Sequence, residues 1–148
     1  MKISTKGRYG TRAMLVLASK YGNGLVRASE IADEQGISIK YLENILSTLR
    51  TSGLIVSERG KNGGYALARS PQEIDLYSVL SPLEGSMGFV HCTGDTPECS
   101  KVGACVTREV WAELKSATDR ILQGTTLEDL LQRRSRLEAG EACGGEST

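Results

Sequence analysis

Ala28-Ser29-Glu30-Ile31-Ala32-Asp33-Glu34-Gln35-Gly36-Ile37-Ser38 is the stretch on which the reading of this sequence turns. Ile31 and Ala32 give a short helix, over about residues 28–35, an inward face. Gly36 ends it, because glycine reaches the left-handed conformation of a helix terminus without steric cost. Ser38 is a good N-cap for a further helix over residues 39–51, which buries Leu42, Ile45, Leu46 and Leu49 and closes at Gly53. Two helices joined by a tight glycine turn read as a helix-turn-helix, whose second helix enters the major groove of DNA.

The flanks extend the pattern. Upstream, Ala13, Met14, Leu17, Ala18 and Tyr21 recur at three- and four-residue steps, which predicts an amphipathic helix over about residues 6–21, stopped by Gly22-Asn23-Gly24. Downstream the period changes. Residues 54–59 read as a strand, Gly60-Lys61-Asn62-Gly63-Gly64 as a turn and residues 65–68 as the returning strand. Helix, short helix, helix and hairpin follow in the order of a winged helix-turn-helix. After Ser70-Pro71 comes a short helix, about 76–83. Residues 85–105 lack any period and hold three of the four cysteines; a segment of that length without secondary structure is usually functional or disordered. A long helix over 106–123 carries Val106, Val110, Leu114, Ala117 and Ile121 in one stripe, widened by Trp111, Thr118 and Leu122. Gly124 ends it, and Thr126 caps a last helix over 127–134. The expected fold is mainly α with a small β-hairpin wing. Residues 1–70 form the winged helix-turn-helix domain for DNA, and residues 71–134 the dimerisation helices with a cysteine-bearing sensor loop at 85–105. Residues 135–148 form a disordered tail.

The 148 residues carry 18 Lys and Arg against 18 Asp and Glu, a net charge of zero that at face value argues against nucleic acid. The zero is a sum of unlike halves. Residues 1–70 hold 11 bases and five acids, a charge of +6, and the remainder carries −6. Such asymmetry suggests separate jobs. No apolar run approaches the roughly 20 residues of a membrane helix, and Met1-Lys2-Ile3-Ser4-Thr5-Lys6 is not followed by a signal-type apolar stretch. A cytoplasmic location without membrane partners is expected. An enzyme is not: the one histidine, His91, adjoins a cysteine, there is no C-x-x-C, and no glycine-rich phosphate loop follows a strand.

The chemistry of the basic half suits double-stranded DNA. The first turns of the reading helix expose Ser38, Lys40, Tyr41, Glu43 and Asn44. Lys40 serves phosphate or guanine, and Ser38 phosphate or base. Glu43 is either a selectivity element, repelled by DNA unless a cytosine amine donates to it, or a solvated helix residue. Arg59 at the strand–turn junction, with Lys61 in the turn, is the residue type that enters narrow minor grooves, and the wing glycines let backbone approach a phosphate. Lys2, Thr5, Lys6, Arg8 and Tyr9 supply phosphate contacts, which position without specifying.

Cys92, Cys99 and Cys105 form C-x6-C-x5-C, with Cys143 in the tail. Without a signal peptide a disulfide framework is not expected. The spacing is not the C-x2-C of zinc ribbons. Thiolates on an irregular loop ligate an iron–sulfur cluster; zinc and reactive-thiol sensing remain open on spacing alone.

Three segments carry a resemblance: Ser4-Thr5-Lys6-Gly7-Arg8-Tyr9, Ile37-Ser38-Ile39-Lys40-Tyr41-Leu42-Glu43 and Arg59-Gly60-Lys61-Asn62-Gly63-Gly64-Tyr65. Together they resemble the winged-helix regulators that include the iron–sulfur regulator IscR, the cysteine-metabolism repressor CymR and the nitric-oxide sensor NsrR, over essentially residues 1–134. The cysteine trio is similar to that of the cluster-binding branch. The resemblance implies a transcriptional repressor or dual regulator, a homodimer crossing its long helices on a pseudo-palindromic operator, and one 2Fe–2S cluster per subunit. Cys92, Cys99 and Cys105 match its cluster cysteines, Glu43 an acid that tunes site choice, and Arg59 the wing arginine. The fourth ligand does not carry over. IscR-like proteins have a histidine three residues after the last cysteine, where this chain has Arg108; NsrR-like proteins have an acid where it has Arg8. His91, Asp95, Glu98, Glu109 and Cys143 are the alternatives. A regulator acting by thiol oxidation, zinc or a partner protein is the competing expectation.

Overall fold

The computed structural model describes residues 2–90, 93, 100 and 103–140. Its helices are α1 (Thr5–Ser19), α2 (Ala28–Gln35), α3 (Ile39–Thr51), α4 (Leu76–Glu84), α5 (Val106–Gln123) and α6 (Leu127–Glu138), with a hairpin of β1 (Ile55–Glu58) and β2 (Gly64–Leu67) after α3. A single 3-10 turn, Pro71–Glu73, leads into α4.

The glycine turn behaves as its sequence demands. Gly36 sits at φ 65° and ψ 37°, in the left-handed region, where a side chain costs about 1–2 kcal/mol. Ser38 caps α3, its hydroxyl accepting from the Tyr41 N–H at 3.2 Å. α3 therefore starts at a fixed angle to α2, and Leu42, Ile45, Leu46 and Leu49 are fully buried beneath it. Truncating any of these leucines to alanine costs about 2–5 kcal/mol.

The hairpin is antiparallel, pairing Ile55 with Leu67, Val56 with Ala66, Ser57 with Tyr65 and Glu58 with Gly64. Val26, before α2, joins it through an isolated antiparallel bridge: Val26 and Tyr65 exchange both backbone bonds at 2.8 Å. The wing is thus bonded to the chain entering the helix-turn-helix.

One core cluster runs through Met14, Leu17, Ile31, Leu46 and Ile55 and on into Ile74, Val79, Leu83 and Leu127. The division expected at residue 70 is therefore no break in packing. α1 lies against α4 and α6 as well as α3. It approaches α4 so closely that a Cβ on Gly10 would lie 2.3 Å from Leu83 Cδ1. A smaller cluster of Leu80, Met87 and Leu122 ties α4 to α5.

One expectation changes at the C-terminal end. α6 continues through Glu138, so residues 135–138 are helical and not tail. A capping box of Thr126 and Asp129 starts this helix, and Arg134 pairs with Glu138 at 3.8 Å one turn apart, carrying it past residue 134. The remainder of the expected tail, residues 141–148, lies outside the described residues. The apolar stripe of α5 is only locally buried: Leu122 is covered, whereas Val106, Val110, Leu114 and Ile121 are 78%, 52%, 42% and 67% exposed.

Candidate nucleic-acid interface and cysteine site

The start of α3 presents Ser38, Ile39, Lys40, Glu43 and Asn44 to solvent. The Ser38 hydroxyl oxygen is engaged as the cap acceptor, which leaves its O–H to donate outward. Tyr41 departs from the expected exposed position. It is half-buried against the core, its ring edge-on to Tyr9 with centroids 6.2 Å apart. Position 41 falls on the same helix face as Leu42 and Ile45, so the ring packs α3 onto α1. The Arg12 guanidinium lies 5.7 Å from the Tyr9 ring centre, within cation–π range.

Lys6 is half-buried as well, its ammonium donating to Thr48 Oγ1 of α3 at 3.2 Å. It fixes the first turn of α1 against the middle of the reading helix. Lys2, Ile3, Ser4, Thr5 and Arg8 line a cleft beside that turn.

In the wing, Arg59 and Lys61 are exposed, as is Gly60 at φ 110°. The other two wing glycines have a different reason from the one expected. A Cβ on Gly63 would stand 2.3 Å from the Glu58 carbonyl oxygen, and one on Gly64 would stand 2.6 Å from that of Val26. These residues are glycine so that the wing can close on the protein's own backbone. Two arginines hold it in place. Arg27 Nη2 donates to the Lys61 carbonyl at 2.9 Å, and Arg50 Nη1 donates to Ser57 Oγ at 3.2 Å. Neither was legible in sequence, because each partner is distant or a backbone group and leaves no local spacing signal.

Cys105 is the N-cap residue of α5. The Thr107 hydroxyl, 3.2 Å from Sγ, holds its thiol below the ordinary range, helped by the Arg108 N–H and by the Arg108 charge. A half-exposed cysteine at a helix N-terminus beside an arginine is a thiolate environment. Gly103, Ala104, Val106, Arg108 and Glu109 line the cleft around it. Cys92 and Cys99 lie outside the described residues, as do His91, Asp95, Glu98 and Cys143 among the alternative ligands. Glu109 is exposed in the first turn of α5. Among the described residues no group of three metal-ligating side chains comes together.

The model of a family described as iron-dependent transcriptional regulators, Rrf2, matches residues 3–133. The chain belongs to the Rrf2 family. It is 39% identical to protein rrf2 of Nitratidesulfovibrio vulgaris over 135 residues, 91% of this chain and 90% of that one. The solved structure of CymR, the global cysteine regulator of Bacillus subtilis, superposes with a TM-score of 0.76 at 38% identity, covering 90% of this chain and 98% of that chain. That of T. potens IscR superposes with a TM-score of 0.73 at 37% identity, covering 99% and 94%. This Rrf2 protein is thus a winged-helix, DNA-binding transcriptional regulator and not an enzyme. Among its described residues no helix is long and apolar enough to cross a membrane.

Proposed function

We propose that this Rrf2 regulator is a cytoplasmic homodimer that binds a pseudo-palindromic operator, as a repressor or dual regulator, and responds to a 2Fe–2S cluster held in each subunit by Cys92, Cys99 and Cys105. The observation that carries the sensing half is Cys105: a thiol lowered in pKa at the start of the long helix fits thiolate ligation. The iron-dependent description of the family supports the same reading. When bound, such a cluster would be held by the Cys92, Cys99 and Cys105 thiolates and would supply iron- and redox-sensitive ligation there. Everything else belongs to the chain: Cys105 offers the thiolate, and α5 carries the segment's end.

The dimer rests on the row Val106, Val110, Leu114 and Ile121, with Trp111 beside it, running about 22 Å along α5 with its apolar side chains in solvent. Exposed apolar stripes of this size mark interfaces, and a two-fold dimer places two reading helices on two half-sites. Ser38, Lys40, Glu43, Arg59 and Lys61 then face DNA directly, Lys6 and Tyr41 set the helix that does so, and the α1 start contacts phosphates.

Anaerobic reconstitution with iron and sulfide tests the cluster. Visible charge-transfer absorption, with iron and sulfide in the protein, is expected and is lost in Cys92→Ala. A colourless protein overturns the cluster. A second reading, thiol sensing without a cluster, is favoured by the same lowered thiol and by the similarity to CymR. It predicts colourless protein whose DNA affinity changes on peroxide treatment; bound zinc by metal analysis marks the remaining alternative.

A further inference from the structure

Among the described residues, three helices or turns begin with the same arrangement of hydrogen bonds, and one of them is assembled differently. In the capping box, the cap side chain accepts from the N–H three residues on, and an acid at that residue accepts from the cap. At α6 the box is local: the Thr126 N–H and hydroxyl both donate to Asp129 Oδ2, at 2.8 and 2.9 Å. At the turn before α4 it is local again, the Ser70 N–H and hydroxyl donating to Glu73 Oε2 at 3.2 and 2.8 Å.

At α1 the cap is Ser4, whose hydroxyl oxygen accepts from the Gly7 N–H at 3.0 Å. The acid's position is therefore Gly7, which has no side chain. The missing carboxylate comes from 80 residues away: the Ser4 N–H and hydroxyl both donate to Glu84 Oε1, at 3.0 and 2.8 Å. The site is built for this substitution. A Cβ on Gly7 would lie 2.0 Å from Glu84 Oε1, so any side chain there would evict the acid.

We propose that Glu84 is a positioning residue for DNA binding: it completes the capping box of α1 from the end of α4, and so makes the phosphate-contacting start of α1 depend on where α4 and α5 stand. The path is continuous in both directions. Toward DNA, the capped turn carries Thr5 and Arg8 into the basic cleft and Lys6 onto Thr48 of the reading helix. Toward the cysteines, Glu84 ends α4, Gly85 follows at φ 76°, and Met87 is buried with Leu80 of α4 and Leu122 of α5. The cysteine-bearing segment spans the gap between Met87 and α5. A ligand or modification that shifts α5 or the end of α4 acts on the cap. This coupling rests on the sensing role proposed above; the cap itself does not.

The test compares wild type, Glu84→Gln, Glu84→Ala and the double variant Gly7→Glu/Glu84→Ala, as full-length proteins. The double variant restores a local box with charge conserved and cuts the link to α4. Operator affinity, its salt dependence and amide hydrogen exchange at residues 4–9 are measured with free thiols, after iron–sulfide reconstitution and after N-ethylmaleimide alkylation. Glu84→Ala is expected to lose about fivefold in affinity, the effect of one lost cap, with a shallower salt slope and faster exchange at residues 7 and 8. Glu84→Gln keeps an acceptor oxygen and stays within about twofold of wild type. The double variant regains affinity and slope but no longer answers to either thiol treatment. Wild-type exchange and affinity in Glu84→Ala overturn the positioning role. A double variant that responds as wild type does overturns the coupling. If wild type answers to neither treatment, the sensing reading and the coupling fall together, and the affinities of the four proteins with free thiols still decide the cap.

Discussion

Replacing Arg59 with alanine in the wing tests whether its charge reaches DNA, and the size of the effect can be worked out beforehand. Among the described residues, five bases of the first 70 have side chains outside any hydrogen bond, ion pair, ring contact or electrostatic pairing: Lys2, Arg8, Lys40, Arg59 and Lys61; the Arg69 charge acts on the Glu73 carboxylate. Lys6, Lys20, Arg27, Arg50 and Arg12 are engaged within the chain. Each phosphate contact adds about 0.9 to the dependence of log affinity on log salt. Five free cations in each of the two subunits of a dimer therefore supply a slope of about 9. Arg59→Ala removes one contact per subunit, so the slope should fall by about 1.8. Over a fourfold rise in salt the variant should then lose about 12-fold less affinity than wild type does. Fluorescence anisotropy of a labelled operator duplex across a potassium chloride series reads this directly. Lys61→Ala should act alike. Arg27→Ala serves as the contrast: its guanidinium holds the Lys61 carbonyl, so the variant should weaken binding through a misplaced wing while moving the slope less. An unchanged slope in both Arg59→Ala and Lys61→Ala would refute the wing as a phosphate-contacting element.

Gly63→Ala forces a methyl to within 2.3 Å of the Glu58 carbonyl, so it should open the hairpin, lower operator affinity at least tenfold and leave the helical circular dichroism intact; full affinity would show that the wing closes in another way. Val110→Glu puts a charge into the exposed row of α5, and sedimentation should show a dimer for wild type and a monomer for the variant, with operator affinity falling in parallel. In metal-free protein the lowered Cys105 thiol should be alkylated below the pH at which a free cysteine, of pKa about 8.5, becomes reactive. Deprotonation is what the Thr107 hydroxyl favours, so Thr107→Val should move the midpoint for the Cys105 peptide upward in a mass-resolved alkylation profile, and no movement would separate Thr107 from the thiol.

How far the sequence could be read depended on how local the physics was. α2 and α3 were legible to the residue, because Gly36 and Ser38 mark a left-handed corner and a side-chain cap that need nothing from elsewhere. α5 was equally clear as a helix. Its stripe, however, has the same period whether the cover is this chain or another, and only the structure separates covered Leu122 from bare Val110. Tyr41 shows the opposite error: placed by its position in the first turn of the reading helix, it was expected outward, but Tyr9 and the core draw it in. The wing glycines were found by composition: Gly60 has the positive φ expected of it, whereas Gly63 and Gly64 avoid the carbonyls of Glu58 and Val26, contacts that leave no signal in composition. Contacts across the chain, Arg27 to Lys61 and Glu84 to Ser4, left no local spacing from which to infer them.

The charge boundary near residue 70 illustrates why those distant contacts matter. Base and acid separate there, +6 against −6, yet the core crosses it without interruption, from Met14 and Leu46 to Val79 and Leu127. A DNA-binding unit that merely tethered a sensor would have shown a break in packing at that point. Continuous packing means instead that α4 is shared: Leu83 fills the space left by Gly10, Glu84 fills that left by Gly7, and Leu80 reaches toward α5. Charge divides the chain by what it touches, whereas packing joins it into one body, so a change at the cysteine segment reaches the DNA-facing helices through side chains already in contact. The glycines at positions 7 and 10 then have one physical purpose in common, to let α4 come close enough to act on α1.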